Sequence, residues 1–170
     1  MDLKKIIRNI PDFPQPGIQF KDIESITENP SAFAYVIDEF AKAIKSMGID
    51  KILVLDARGF LFGAALGLQE KLPIVMARKK GKLGGQCVSQ SYLLEYGEDE
   101  IQLQKTAITA GNKVLIVDDL LATGGTALAA VELVKQVGGN VQLVAFVIEL
   151  DGLGGREKLA GTELLSLVRF

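Results

Sequence analysis

The sequence contains no histidine and a single cysteine, Cys87, among 170 residues. Without imidazole, any acid–base step must fall to a carboxylate, a lysine, a tyrosine or the substrate itself. The same lack argues against a zinc site built by the protein. One cysteine excludes an intramolecular disulfide, and an inert thiol in a reducing compartment is its simplest setting. No apolar run approaches the roughly 18 residues of a membrane span. At the N-terminus, MDLKKIIRNIPDF places Pro11 and Asp12 where a signal peptide needs a continuous apolar stretch, so a cytoplasmic location is expected. Excess positive charge is also missing. At a formal net charge of −2 the chain as a whole is no basic nucleic-acid binder, and any attraction for anions must be local.

What remains is an ordinary globular balance, 48% hydrophobic and 24% charged, far from the disordered and membrane classes. The length suits one domain spanning 1–170, and no linker or internal repeat divides it. Asn29-Pro30, followed by Phe33, Val36, Ile37, Phe40, Ile44 and Met47, predicts a capped helix with one apolar stripe, ended by Gly48. ILVLD (52–56) reads as a buried parallel strand, and PIVM (73–76), VLIVDD (114–119) and LVAFVIE (143–149) as further strands. Helical segments FLFGAALGLQEKL and ALAAVELVKQV alternate with them, the second stopped at Gly138-Gly139. The expected fold is therefore α/β, a central and mostly parallel sheet flanked by helices, with ligands at the carboxyl ends of the strands.

Two stretches break the alternation. PDFPQPG is too turn-rich to join the main sheet and predicts a small N-terminal hood, about residues 1–25. Between about 78 and 105, the basic, flexible RKKGKLGG precedes two extended segments, SYLLEYG and EIQLQKTAI, which read as a projecting, flexible β-hairpin.

The sharpest chemical signal is VLIVDDLLATGGT (114–126). An apolar strand delivers Asp118 and Asp119 to its end, and a turn of small residues leads into a helix. Small residues let backbone amides converge on a phosphate, threonine hydroxyls add donors, and the helix N-terminus adds a favourable dipole. Carboxylates repel phosphate and accept strongly, so the two aspartates suit vicinal hydroxyls. Phosphate and diol together describe a ribose phosphate. No lysine follows the glycines and G-x-G-x-x-G is absent, which excludes the Walker and dinucleotide loops. Arg58 follows a strand end and suits diphosphate, because a guanidinium grips two phosphate oxygens at once. Arg78, Lys79 and Lys82 are further anion-binding candidates.

The central motif resembles that of type I phosphoribosyltransferases. With FPQPGIQFKDI, LDARGFLFG, RKKGKLGG, SYLLEYG and GREKL, the whole chain is similar to the adenine phosphoribosyltransferase family. The resemblance implies purine salvage, in which ribose 5-phosphate passes from 5-phosphoribosyl 1-diphosphate to adenine, giving AMP and diphosphate. It implies Asp118 and Asp119 on the ribose, with Ala122, Thr123, Gly124, Gly125 and Thr126 on the 5-phosphate. Ala57, Arg58, Arg78, Lys79 and Lys82 fall to diphosphate, Ala57 standing where the family usually has serine. Phe20 and Leu120 would sandwich adenine while backbone groups of Gln19 and Lys21 read its edge, and the family often has arginine at Lys21.

Glu95 and Tyr96, on the hairpin, would close over the reacting centre, with Glu95 exchanging a proton with the adenine ring. Magnesium would come with the substrate rather than in a protein cage. A cis Asp56–Ala57 peptide and a homodimer formed through the region after Arg58, more apolar than one amphipathic face requires, are also implied. Two other readings are open to a chain with this motif. A ligand-sensing regulator without catalysis would need a nucleic-acid-binding module or a strong basic face, and neither is visible. A transferase for xanthine or hypoxanthine would differ in FPQPGIQFKDI and in Glu95-Tyr96.

Overall fold

A computed structural model of the protein describes residues 1–93 and 97–170. In chain order the elements are α1 (Leu3–Ile6), β1 (Arg8–Pro11), β2 (Gln19–Asp22), α2 (Glu24–Thr27), α3 (Pro30–Ile44), β3 (Lys51–Leu55), α4 (Gly59–Glu70) and β4 (Ile74–Lys79). There follow β5 (Cys87–Leu93), β6 (Glu98–Gln104), β7 (Lys113–Leu121), α5 (Gly125–Gln136), β8 (Asn140–Glu149), α6 (Gly155–Lys158) and β9 (Leu164–Arg169).

Local chemistry sets the helix ends. The Asn29 side chain accepts a hydrogen bond from the Ala32 amide at 3.1 Å, and Pro30 opens α3 where no amide partner is needed. Ala32, Val36, Ile37, Phe40 and Ile44 then bury one face. In α4, Gly59, Gly63 and Gly67 recur every four residues, so they share the side turned to the sheet. A Cβ on Gly63 would collide with Val54 Cγ1, and one on Gly67 would lie 2.5 Å from Ile74 Cγ1. Helix α4 therefore lies against the sheet at backbone distance. Its outward residues Leu61 and Leu68 are 48% and 83% exposed.

Seven strands form the main sheet in the order β5-β6-β4-β3-β7-β8-β9. The pairs β3-β4, β3-β7, β7-β8 and β8-β9 are parallel, and β4-β6 and β5-β6 are antiparallel. Strand alternation feeds two cores. Ile52, Val54, Leu115 and Val117 pack with α3 and α4, while Leu53, Leu55, Val114 and Ile116 pack with α5. Strands β1 and β2 form a separate two-stranded antiparallel sheet, so the turn-rich N-terminal segment stays out of the main one as expected. Among the described residues no helix is long and apolar enough to cross a membrane.

Several boundaries differ from the sequence expectation. Strand β7 continues two residues past Asp119 because Leu120 and Leu121 pair with Ile148 and Glu149. Asp56 leaves β3 for the following turn, and α3 ends at Ile44, before Gly48. Arg78 and Lys79 are not loop residues. They extend β4 and pair with Gln102 and Ile101, which fastens the hairpin to the sheet. Strand β6 ends at Gln104, so Lys105 to Ile108 are turn, and Ile101 and Leu103 are core residues rather than part of a projection. Strand β9 was not anticipated.

Candidate active site

The carboxyl ends of β3 and β7 lie side by side in the sheet, and the groups marked by the sequence gather there. Beyond β7, Gly124 takes a left-handed conformation (φ 76°) that turns the chain into α5. The first amides of a helix have no intrahelical partner, so residues 124–126 present free donors. They bound a cavity of about 90 Å³ lined by Asp118, Leu120, Ala122, Thr123, Gly124, Gly125 and Thr126. All five residues assigned to phosphate thus fall in one cradle, with one of the two aspartates and Leu120 on its wall.

Adjacent strand residues face opposite sides of a sheet, and this splits the aspartates. Asp118 lines the cradle beneath α5, and Asp119 turns toward α4, where Arg58 Nε lies 2.7 Å from its Oδ2. That N–H is not directed at the oxygen. Oδ2, buried in a residue only 5% exposed, has close charge compensation but, among the described residues, no hydrogen-bond donor. The Asp119 amide donates to Asp118 Oδ1 at 2.9 Å. Burial, and then the Asp119 charge, hold the Asp118 carboxyl well above the usual range. Two adjacent carboxylates with an unsatisfied oxygen are prepared for a partner that brings hydroxyl donors. Gly59 makes the approach possible, since a Cβ there would lie 2.7 Å from the Val117 carbonyl and 3.0 Å from Asp118 Oδ1.

Arg58 is also the link to the N-terminal sheet. Its guanidinium carbon lies 5.8 Å from the centre of the Phe20 ring, within cation–π range, and Phe13 meets Phe20 edge-on at 5.1 Å. Phe20 therefore stands beside Arg58, at the carboxyl end of β3. The Asn9 side chain occupies both neighbours. It donates to Gln19 Oε1 at 2.7 Å and accepts from Lys21 Nζ at 2.9 Å. Both side chains are thus engaged within the N-terminal sheet. Leu120 is half-buried against the core packed under α3 and α4.

The Asp56–Ala57 peptide is cis, as the resemblance implies. The basic run is less open than its composition suggests. Arg78 donates to Asp56 Oδ2 at 3.0 Å, beside the diphosphate candidates Ala57 and Arg58. Lys79 instead pairs with Asp99 of the hairpin at 2.9 Å, which raises the lysine's pKa and lowers the aspartate's. Lys82 follows in the turn, its amide donating to the Lys79 carbonyl. Glu95 and Tyr96 lie outside the described residues.

Sequence reasoning missed what stands behind the cradle. Gly155 opens α6, and a Cβ there would collide with the Ala122 carbonyl oxygen and lie 2.9 Å from Leu121 Cδ1. Next to it Arg156 grips Glu149. The available signals were a charged residue closing the apolar run LVAFVIE and a Gly-Arg pair shortly after it.

A cradle for one phosphate, a carboxylate pair and cationic groups at one end of the sheet define a phosphoribosyl-transfer site, and residues 22–163 match the phosphoribosyl transferase domain family. An adenine phosphoribosyltransferase of Clostridium botulinum is 49% identical over 170 residues, covering 100% of this chain and 99% of that one. The crystal structure of adenine phosphoribosyltransferase from Thermoanaerobacter pseudethanolicus superposes with a TM-score of 0.95 at 46% identity, covering 99% of this chain and 98% of its own. That of Saccharomyces cerevisiae, complexed with an imino-altritol bisphosphate and adenine, gives 0.93 at 44% identity and covers 98% and 97%. The chain belongs to the adenine phosphoribosyltransferase family.

Proposed function

We propose that the protein transfers ribose 5-phosphate from 5-phosphoribosyl 1-diphosphate to adenine, releasing AMP and diphosphate, with the whole of 1–170 acting as one catalytic unit. The observation that carries this reading is the carboxylate pair, with its unsatisfied Asp119 oxygen, beside the small-residue cradle at the start of α5. A ribose 5-phosphate satisfies both at once, its phosphate on the amides of residues 122–126 and its hydroxyls on Asp118 and Asp119. Phe20 supplies a face for the base. Stacking does not choose among bases, so selection for adenine falls to hydrogen bonds from the backbone at Gln19 and Lys21.

As the bond from the anomeric carbon to diphosphate breaks, positive charge grows on the ribose and negative charge on the leaving group. Arg58, Arg78 and Lys82 take up the negative charge, and Lys79 joins them by exchanging Asp99 for diphosphate. Arg58 then leaves Asp119 free for the sugar. Magnesium carried on the substrate would neutralise part of the leaving group's charge, and the two aspartates suit the ribose hydroxyls of that complex. Glu95 exchanges the proton on the adenine ring, and Glu95-Tyr96, in the segment that joins β5 to β6, keep water from the ribosyl centre.

The exposed apolar side chains Leu61 and Leu68, one helical face of α4, support assembly as a homodimer. A cytoplasmic location accords with a single, reduced thiol. The test is AMP formation measured against adenine, guanine, hypoxanthine and xanthine with magnesium present. Adenine should be preferred by orders of magnitude, and equal use of hypoxanthine would defeat the base assignment. Sedimentation should give the mass of two chains, and a concentration-independent single-chain mass would exclude the dimer.

A further inference from the structure

Behind the phosphate cradle, the last residue of β8 is an acid in an apolar setting. Glu149 is 3% exposed and sits in register beside Leu121, where the Leu150 amide donates to the Leu121 carbonyl at 2.9 Å. Arg156 binds it with two prongs, Nε to Oε1 at 2.9 Å and Nη2 to Oε2, and also reaches Ser166 Oγ at 3.4 Å. A second guanidinium, that of Arg169, lies 3.4 Å away. Arg156 is the second residue of α6, so the grip fixes the position of Gly155 immediately before it.

Gly155 in turn has no freedom against the cradle. Its hydrogen faces the Ala122 carbonyl and the Leu121 side chain at distances that exclude a methyl group. From the other side, a Cβ on Gly124 would lie 2.8 Å from the Gly155 carbonyl and 3.0 Å from its Cα. Backbone thus rests on backbone, and any displacement of α6 passes directly into residues 121–124.

We propose that Glu149 and Arg156 are positioning residues for the 5-phosphate cradle, holding α6 as its back wall so that the amides of residues 122–126 keep the geometry a phosphate requires. The proposal rests on assigning that loop to the 5-phosphate. A planar fork of two hydrogen bonds fixes orientation as well as distance, which a single point charge does not. The pairing is strong enough to pull the Glu149 carboxyl down to about 2.

The test is titration calorimetry with ribose 5-phosphate, which probes the cradle without base or diphosphate, alongside steady-state kinetics. Arg156→Met should weaken ribose 5-phosphate binding and raise KM for phosphoribosyl diphosphate by about 10- to 100-fold, the usual cost of losing a positioning partner. KM for adenine should stay within about twofold, well below that range. Arg156→Lys, which keeps the charge but not the fork, should recover most of the stability and little of the binding. The double variant Glu149→Gln/Arg156→Met avoids a buried unpaired charge and should fold while binding as weakly as Arg156→Met. Thr126→Val checks the assignment of the loop itself. If it leaves ribose 5-phosphate binding unchanged, the loop is not the 5-phosphate site and the proposal falls with that reading. If Thr126→Val weakens binding while Arg156→Met does not, or if Arg156→Met raises both KM values in parallel, the positioning role alone is refuted.

Discussion

Glu149→Gln should destabilise the protein in a way that depends on pH. The substitution keeps the side chain's shape and removes the charge that Arg156 grips. The Glu149 carboxyl titrates at about 2 in the folded protein against an ordinary 4.5, chiefly because of hydrogen bonds from Arg156. A depression of that size is worth about 3 kcal/mol of folding stability near neutral pH. Arg156 is 39% exposed and partly screened, so about 2–3 kcal/mol is expected. For a chain of this length, with a urea dependence of about 2 kcal/mol per molar, the midpoint should fall by about 1–1.5 M.

The sign follows from the direction of the shift. A carboxyl with its folded value below its unfolded one contributes fully above about 4.5 and loses the contribution as pH falls through about 2. The gap between parent and variant should hold steady from neutral pH to about 4.5. By about pH 3 more than half of it should have gone. Urea unfolding followed by far-UV circular dichroism across that range measures both curves. A gap absent at neutral pH would refute the strength assigned to the pair, and one undiminished at about pH 3 would refute its ionic origin.

If Glu95 shares a proton with adenine only as the bond rearranges, Glu95→Gln should lower kcat by about 10²–10⁴-fold with phosphoribosyl diphosphate binding nearly intact. Turnover within about threefold of the parent would remove that role, since it falls well below the range. Asp119→Asn should instead weaken phosphoribosyl diphosphate binding by about 10- to 100-fold, the worth of a charge-assisted hydrogen bond, and direct titration with that substrate would reveal an unchanged affinity. Gly59→Ala would force a methyl group to within 2.7 Å of the Val117 carbonyl, so a loss of about 1–3 kcal/mol is expected. A melting temperature equal to the parent's would show that α4 can shift away from β7 without strain.

The long-range scaffold was legible where chemistry is strongly patterned. Four apolar runs became β3, β4, β7 and β8: in β3, β7 and β8 burial on both faces demands continuous hydrophobicity, while the largely exposed β4 was marked by its short apolar run alone. Asn29-Pro30 marked the start of α3 through its cap. Strand β9 escaped notice because LLSLVR is mostly half-exposed at the sheet's edge and carries neither a long apolar run nor clean alternation. Helix α6, a single turn, is too short for any period to show. In the site, the Asp-Asp pair and the small-residue loop are local and could be read directly. The partners of the charged residues could not. Arg58 with Asp119, Arg78 with Asp56 and Lys79 with Asp99 are all joined by folding across long stretches of chain.

The parallel pairing of β3 with β7, Lys51 beside Val114, has a consequence for biosynthesis. The hairpin and its approaches are threaded between these two strands, so the centre of the sheet cannot close until β7 has been made. At typical elongation rates that delay is roughly 3–12 s, after β3 and the glycine-striped α4 have already been synthesised. During it one edge of β3, buried in the finished protein, lacks its neighbour, and Leu61 and Leu68 on the outer side of α4 add exposed apolar surface. The nascent chain is therefore most open to misassociation while residues 56–121 are being added, the interval in which a ribosome-bound chaperone would have most to protect.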